Sequence, residues 1–153
     1  CTGPILQLAK VMEYVIYEAK EKLIDVKKEI HFLRNYIDLV SKQPGSRAVF
    51  ELTTRGEYDK LKIAPLLLAG IIDKIAAESN LNGSKQYLLC LGFNASEMEF
   101  SVKGDFGNKP GDLFSSQDPL LIRLRELYPD KFSFHFLSGN SQLNLRVKLD
   151  EQG

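Results

Sequence analysis

The sequence predicts an α+β fold: a helical hairpin over residues 1–43, followed over residues 44–153 by an α/β sandwich whose helices cover one face of a mixed or largely antiparallel sheet. Three observations carry that expectation. Apolar residues in the first forty or so positions recur at spacings of three and four, the pattern of helices that bury one stripe. Past the breaker Gln43, Pro44, Gly45 and Ser46, short β-rich runs replace that repeat. Further helical segments stand between the runs, so the order reads helix pair, strand, helix, hairpin, loop, helix, hairpin.

Ile5, Leu8, Met12, Val15 and Ala19 form the stripe of a first helix ending near Glu21. Asp25 then stands where a carboxylate accepts hydrogen bonds from the free first-turn amides of a second helix. The stripe of that helix is Val26, Ile30, Leu33, Ile37 and Val40, and it ends near Ser41. Both stripes suit helices packed along their length, in a hairpin or against a second copy of the chain. Residues 47–54 read as a strand and the polar stretch RGEYDKLK as a link. IAPLLLAGIIDKIAAES is apolar nearly all round, which predicts a buried helix over 65–78 with Pro65 in its first turn, where the missing N–H has no partner to lose. Strands at 86–93 and 97–103 are turned by Asn94, Ala95 and Ser96. GDFGNKPGDLFSSQDP is too long for an ordinary connector and reads as a functional loop. A helix over 119–127 and strands at 132–137 and 143–149 complete the order.

Composition narrows the partners. Lys plus Arg equals Asp plus Glu at 20 each in 153 residues, so no overall field gathers nucleic acid or anionic lipid. Cys1 sits at the chain end and Cys90 in the apolar run YLLCLGF, where a free thiol packs as a small hydrophobe, as suits a reducing compartment. No apolar run approaches the roughly 20 residues of a membrane span. The chain opens without Met and enters a helical pattern at once, so it is expected to be a piece of a longer protein, with any sensor or membrane segment upstream.

At EIHFLRN, His31 followed by Phe32, Leu33 and Asn35 is similar to the His-Phe-Leu-Phe-Asn box of one class of phosphoaccepting bacterial sensor kinases. LAKVMEYVIYEAKEKLIDVKKEIHFLRNYIDLVSKQ, KIAPLLLAGIIDKIA and IRLRELYPDKFSFHF together resemble the C-terminal region of LytS-type sensor histidine kinases, over nearly the whole chain. Met12-Glu13-Tyr14 resembles the Leu-Arg-Tyr-like end of that family's first helix, and Asn35-Tyr36-Ile37 the Asn-Tyr-Ile pattern of the Glu-rich helix that follows. The resemblance implies a GHKL, or Bergerat-type, ATPase-like sandwich after the helices. It also implies that the acceptor histidine lies upstream, which makes His31 a surface or partly packed helix residue.

The same resemblance assigns nucleotide boxes. The family's Pro-Leu-Leu-Leu helix carries a Glu that assists chemistry and an Asn that ligates magnesium; those positions are Asp73 and Lys74 here. Asp73 keeps a carboxylate, but an ammonium has donors only and cannot ligate a metal. Lys74 is then either a helix-edge lysine or a direct partner of phosphate. Asp105 and Gly107 match an Asp-x-Gly that reads adenine, one residue late, and read equally as a turn. The Gly-x-Gly-Leu that wraps phosphates is replaced by FSSQDPLLIRLRELYP, with Phe114 and Ser116 where glycines belong and Pro119 removing an amide. Arg123, Leu124, Leu127, Tyr128 and Pro129 keep the scaffold. His135 reads as a strand residue, and Asn82 and Asn94, in glycosylation-like triplets, as turn residues.

Taken together, these matches imply the cytoplasmic, ATPase-like region of a membrane-anchored two-component sensor histidine kinase. Its nucleotide site would be degenerate, a pseudokinase without cofactor or metal that acts as a homodimer and docks a response regulator or partner kinase. The alternative is an active kinase using ATP and Mg, with Asp73 catalytic, Lys74 on phosphate and Asp105 on adenine.

Overall fold

The structure, a computed structural model, describes residues 23–42, 48–82, 85–104, 118–137 and 142–151. In chain order the elements are β1 (Ile24–Asp25), α1 (Val26–Lys42), β2 (Ala48–Arg55), β3 (Leu61–Ile63), α2 (Leu67–Asn82), β4 (Lys85–Asn94), β5 (Glu97–Lys103), α3 (Pro119–Leu127), β6 (Phe132–Leu137), β7 (Gln142–Lys148) and β8 (Asp150–Glu151). The helix expected over 5–21, the break at 43–46, Cys1, Asp105, Gly107, Phe114 and Ser116 lie outside the described residues.

Alternation of apolar and polar side chains puts one face of each strand against the helices. The main sheet has the order β2-β4-β5-β7-β6. β2 and β4 are parallel, joined by a crossover that carries β3 and α2; the other pairs are antiparallel. The sheet is mixed, with its helices on one side, as the sequence predicts. Phe50, Leu89, Leu91, Phe100, Val102, Leu143 and Leu145 of its inner face share one core with Ile30, Leu33 and Ile37 of α1 and Leu67, Leu68, Ile71, Ile72 and Ile75 of α2. Each such buried side chain stabilises the fold by about 1.5–3 kcal/mol relative to exposure. Among the described residues no helix is long and apolar enough to cross a membrane.

Two expectations are corrected. The stretch RGEYDKLK is not only a link: its end enters β3, which pairs antiparallel with β1 and β8 in a second, small sheet. Strands of two and three residues are shorter than the period-two pattern needs to become visible. Asp25, expected ahead of the second helix, does precede α1 and also belongs to β1, opposite Lys62. The buried helix begins at Leu67, not Pro65, because Leu66 has φ +66°, in the left-handed region, and turns the chain before the helix starts. At Gly56, with φ +88°, a Cβ would run into the Phe93 carbonyl oxygen, so the chain leaving β2 crosses β4 where only glycine fits.

Candidate functional site

Over residues 67–76 helix α2 is apolar on almost every side, and within that span Asp73 and Lys74 are where polarity interrupts it. They lie near the middle of the helix, between α1 and the head of α3. The hydroxyl of Tyr36 on α1 donates to Asp73 Oδ1 at 2.6 Å, and the Tyr36 ring stacks on Phe32 at 5.9 Å between centroids. Burial, then the hydrogen bond and the negative charge of Asp73, push the Tyr36 phenol well above the ordinary tyrosine range.

On the other side, Lys74 Nζ forms an ion pair with Asp118 Oδ2. Asp118 is buried, while the Lys74 side chain keeps 36% of its exposure. The second oxygen of Asp118, Oδ1, accepts from Leu120 N at 2.9 Å, so this residue is the N-cap of α3, ahead of Pro119 at the first helical positions. One carboxylate thus receives both an ammonium and the positive end of a helix. Gly70, one turn before Lys74, lets α3 come close: a Cβ there would meet Leu120 Cδ1 at 3.4 Å.

A second set of polar contacts fixes the approach to α2. The fully buried Glu29 of α1 accepts from Leu66 N through Oε1 at 2.9 Å and Oε2 at 3.2 Å. Arg123 donates to the Pro65 carbonyl at 2.6 Å, and Tyr128 Oη accepts from Ala64 N at 3.0 Å. The Tyr128 phenol is raised, chiefly by burial, with the Ala64 amide pulling the other way. Pro65 has no N–H, so the main-chain donors of residues 64 and 66 and the carbonyl of 65 are all met by side chains of α1 and α3.

Of the residues the sequence singles out, the structure brings Asp73 and Lys74 side by side on α2. It buries Leu124 and Tyr128 and leaves Leu127 37% exposed, at the surface rather than in the scaffold. His31 is exposed on α1 and His135 on β6. Cys90 is a free, half-buried thiol of β4. Sequence reasoning missed Tyr36, Asp118 and Glu29 as site residues. Asp118 carried a readable signal, an Asp directly before a Pro that opens a helix; Glu29 and Tyr36 carried none, since each depends on where α1 meets α2.

No family model matches the chain, and no curated protein matches it. Solved structures do. The catalytic domain of the histidine kinase ThkA superposes with a TM-score of 0.54 at 11% identity, covering 82% of this chain and 93% of that one. The histidine kinase domain of the E. coli osmosensor EnvZ gives 0.56 at 14% identity, over 86% of this chain and 89% of that one. ThkA in complex with the response regulator protein TrrA gives 0.52 at 13% identity, over 95% of this chain and 48% of that one. Helices over one face of a five-stranded mixed sheet give this chain the GHKL fold of histidine kinase catalytic domains.

Proposed function

We propose that this chain is the ATPase-like region of a LytS-type two-component sensor in which an internal ion pair has replaced the grip on Mg-ATP, so that it signals by dimerising and docking rather than by transferring phosphate. The observation that carries this reading is the Lys74–Asp118 pair. By resemblance, position 74 is where an amide oxygen holds magnesium, and the head of α3 is where backbone amides hold phosphate. Here an ammonium takes the first place and a buried carboxylate the second. Both Asp118 oxygens are engaged, one by Lys74 and one by Leu120 N. Lys74 offers no lone pair to a metal, and a phosphate at the head of α3 would meet a carboxylate already seated there. The donor set does not fit a magnesium–triphosphate group.

Asp73 fits the same reading, since its carboxylate is tied by Tyr36. The partner is a response regulator or a second kinase, by analogy with the regulator bound to ThkA. The N-terminal segment supplies the homodimer contact, and the region works on the cytoplasmic side of a membrane-anchored sensor. Calorimetric titration of the chain with Mg-ATP tests it: the expected Kd is weaker than about 1 mM, and a micromolar Kd would instead establish the working kinase, with Asp73 catalytic, Lys74 on phosphate and Asp105 and Gly107 at adenine.

A further inference from the structure

The outer face of the main sheet, opposite the helices, holds a cleft of about 350 Å³ that the nucleotide-type site does not use. Its floor is Gly92. This glycine lies inside β4, in regular register with Arg55 on one side and Glu99 on the other, with no bulge. Its backbone is outside the left-handed region, and a Cβ built on it would meet nothing nearer than the Glu99 carbonyl oxygen at 4.0 Å. Neither conformation nor packing within the described residues requires glycine here. A strand-interior glycine without such a reason marks a place where a ligand or another backbone comes close.

A guanidinium stands on one wall and two carboxylates on the other. On the β2 side stands Arg55, whose guanidinium has no hydrogen bond or ion pair among the described residues. On the β5 side stand Glu97 and Glu99, with Arg146 at 3.9 and 2.9 Å from them and Lys148 directly across the β5–β7 pair from Glu97. Beside the cleft-lining Ser101, directly across the β5–β7 pair, is Asn144, whose side chain by alternation belongs to this same outer face. Asn144 is only 5% exposed and is not part of the cleft lining, and its buried Oδ1 has no hydrogen-bond partner among the described residues.

We infer that this cleft binds a small zwitterion of the amino-acid or short-peptide class, its carboxylate on Arg55 and its ammonium at Glu97 and Glu99, with its body over Gly92. The volume lies at the small end of ligand sites, which run from about 300 to about 1,000 Å³. The inference is independent of the nucleotide-type site.

The test is a titration of the full chain with glycylglycine, followed by backbone-amide NMR. Saturable shifts centred on Gly92, Glu99 and Ser101 are expected. Gly92→Val fills the floor and is expected to abolish them while leaving thermal stability equal or higher, and Arg55→Gln is expected to weaken binding about tenfold. N-acetylglycinamide, which carries neither charge, is expected to move nothing. Absence of saturable shifts up to about 20 mM would overturn the inference, as would a Gly92→Val chain that binds like the parent or an equal response to the uncharged compound.

Discussion

Helix α2 is held by its neighbours at two levels, one at residues 64–66 that lead into it and one half-way along it at residues 73 and 74. At its approach, Glu29, Arg123 and Tyr128 bond to main-chain atoms of residues 64–66. Half-way along, Tyr36 and Asp118 bond to the side chains of Asp73 and Lys74. Each level draws on α1 and on α3 or its caps. The atoms differ, and so do the consequences. A main-chain donor cannot be substituted away, so the lower level constrains the residues that serve it whatever the protein does. At the upper level both partners are side chains, one of them exposed, and a change on one side is answerable by a change on the other. The lower level is fold; the upper level is where chemistry is free to be replaced.

Glu29→Ala puts the largest strain on that contrast. It would remove a fully buried carboxylate and leave the amide of the left-handed Leu66 unbonded, a loss of about 3 kcal/mol in urea unfolding. A loss under about 0.5 kcal/mol would show that the approach to α2 is held by something else. Tyr128→Phe follows. It deletes the hydroxyl that receives Ala64 N and should cost about 1.5 kcal/mol by the same measurement, with the fold retained.

Asp118→Asn separates the two jobs of one residue. Asparagine caps a helix about as well as aspartate, so the variant keeps the bond to Leu120 N and loses only the charge that meets Lys74. Lys74 is partly exposed and its charge partly screened, so the expected cost is below about 1 kcal/mol, smaller than at either lower-level residue. A cost above that of Glu29→Ala would invert the contrast and make the ion pair the main fastening of α3.

The sequence made these two levels unequally visible. Stripes such as Ile30, Leu33 and Ile37 were readable because burial repeats with the helix, and the strands were readable because burial alternates. Asp73 and Lys74 were legible as a pair of positions through a family resemblance, but their partners were not. Tyr36 reaches Asp73 only where α1 packs against α2, a fact of tertiary structure. The start of α2 was misplaced for a related reason: Pro65 suits a first turn, yet the left-handed Leu66 is imposed by contacts from two other helices. The polar residues of this chain answer to one another across elements, and such pairings have no period.

The smallest effect separates the levels by pH. The Tyr36 phenol is raised by burial and by Asp73, so the folded chain keeps it neutral where the unfolded chain, with an ordinary tyrosine value of about 10, already ionises it. The stability it contributes is therefore complete below about pH 10 and is lost as pH rises from there toward the folded-state value. Tyr128, also raised, adds to the same alkaline loss in both the parent and a Tyr36→Phe chain. At neutral pH Tyr36→Phe should cost about 0.5–1 kcal/mol, the net worth of one partly exposed hydrogen bond. Between about pH 10 and about pH 11 the parent should lose its advantage and the two unfolding curves converge, because only the parent still holds a neutral phenol at this position. Curves that stay parallel to pH 11 would mean that Tyr36 titrates alike in both states, and that the contact to Asp73 does not hold the upper level together.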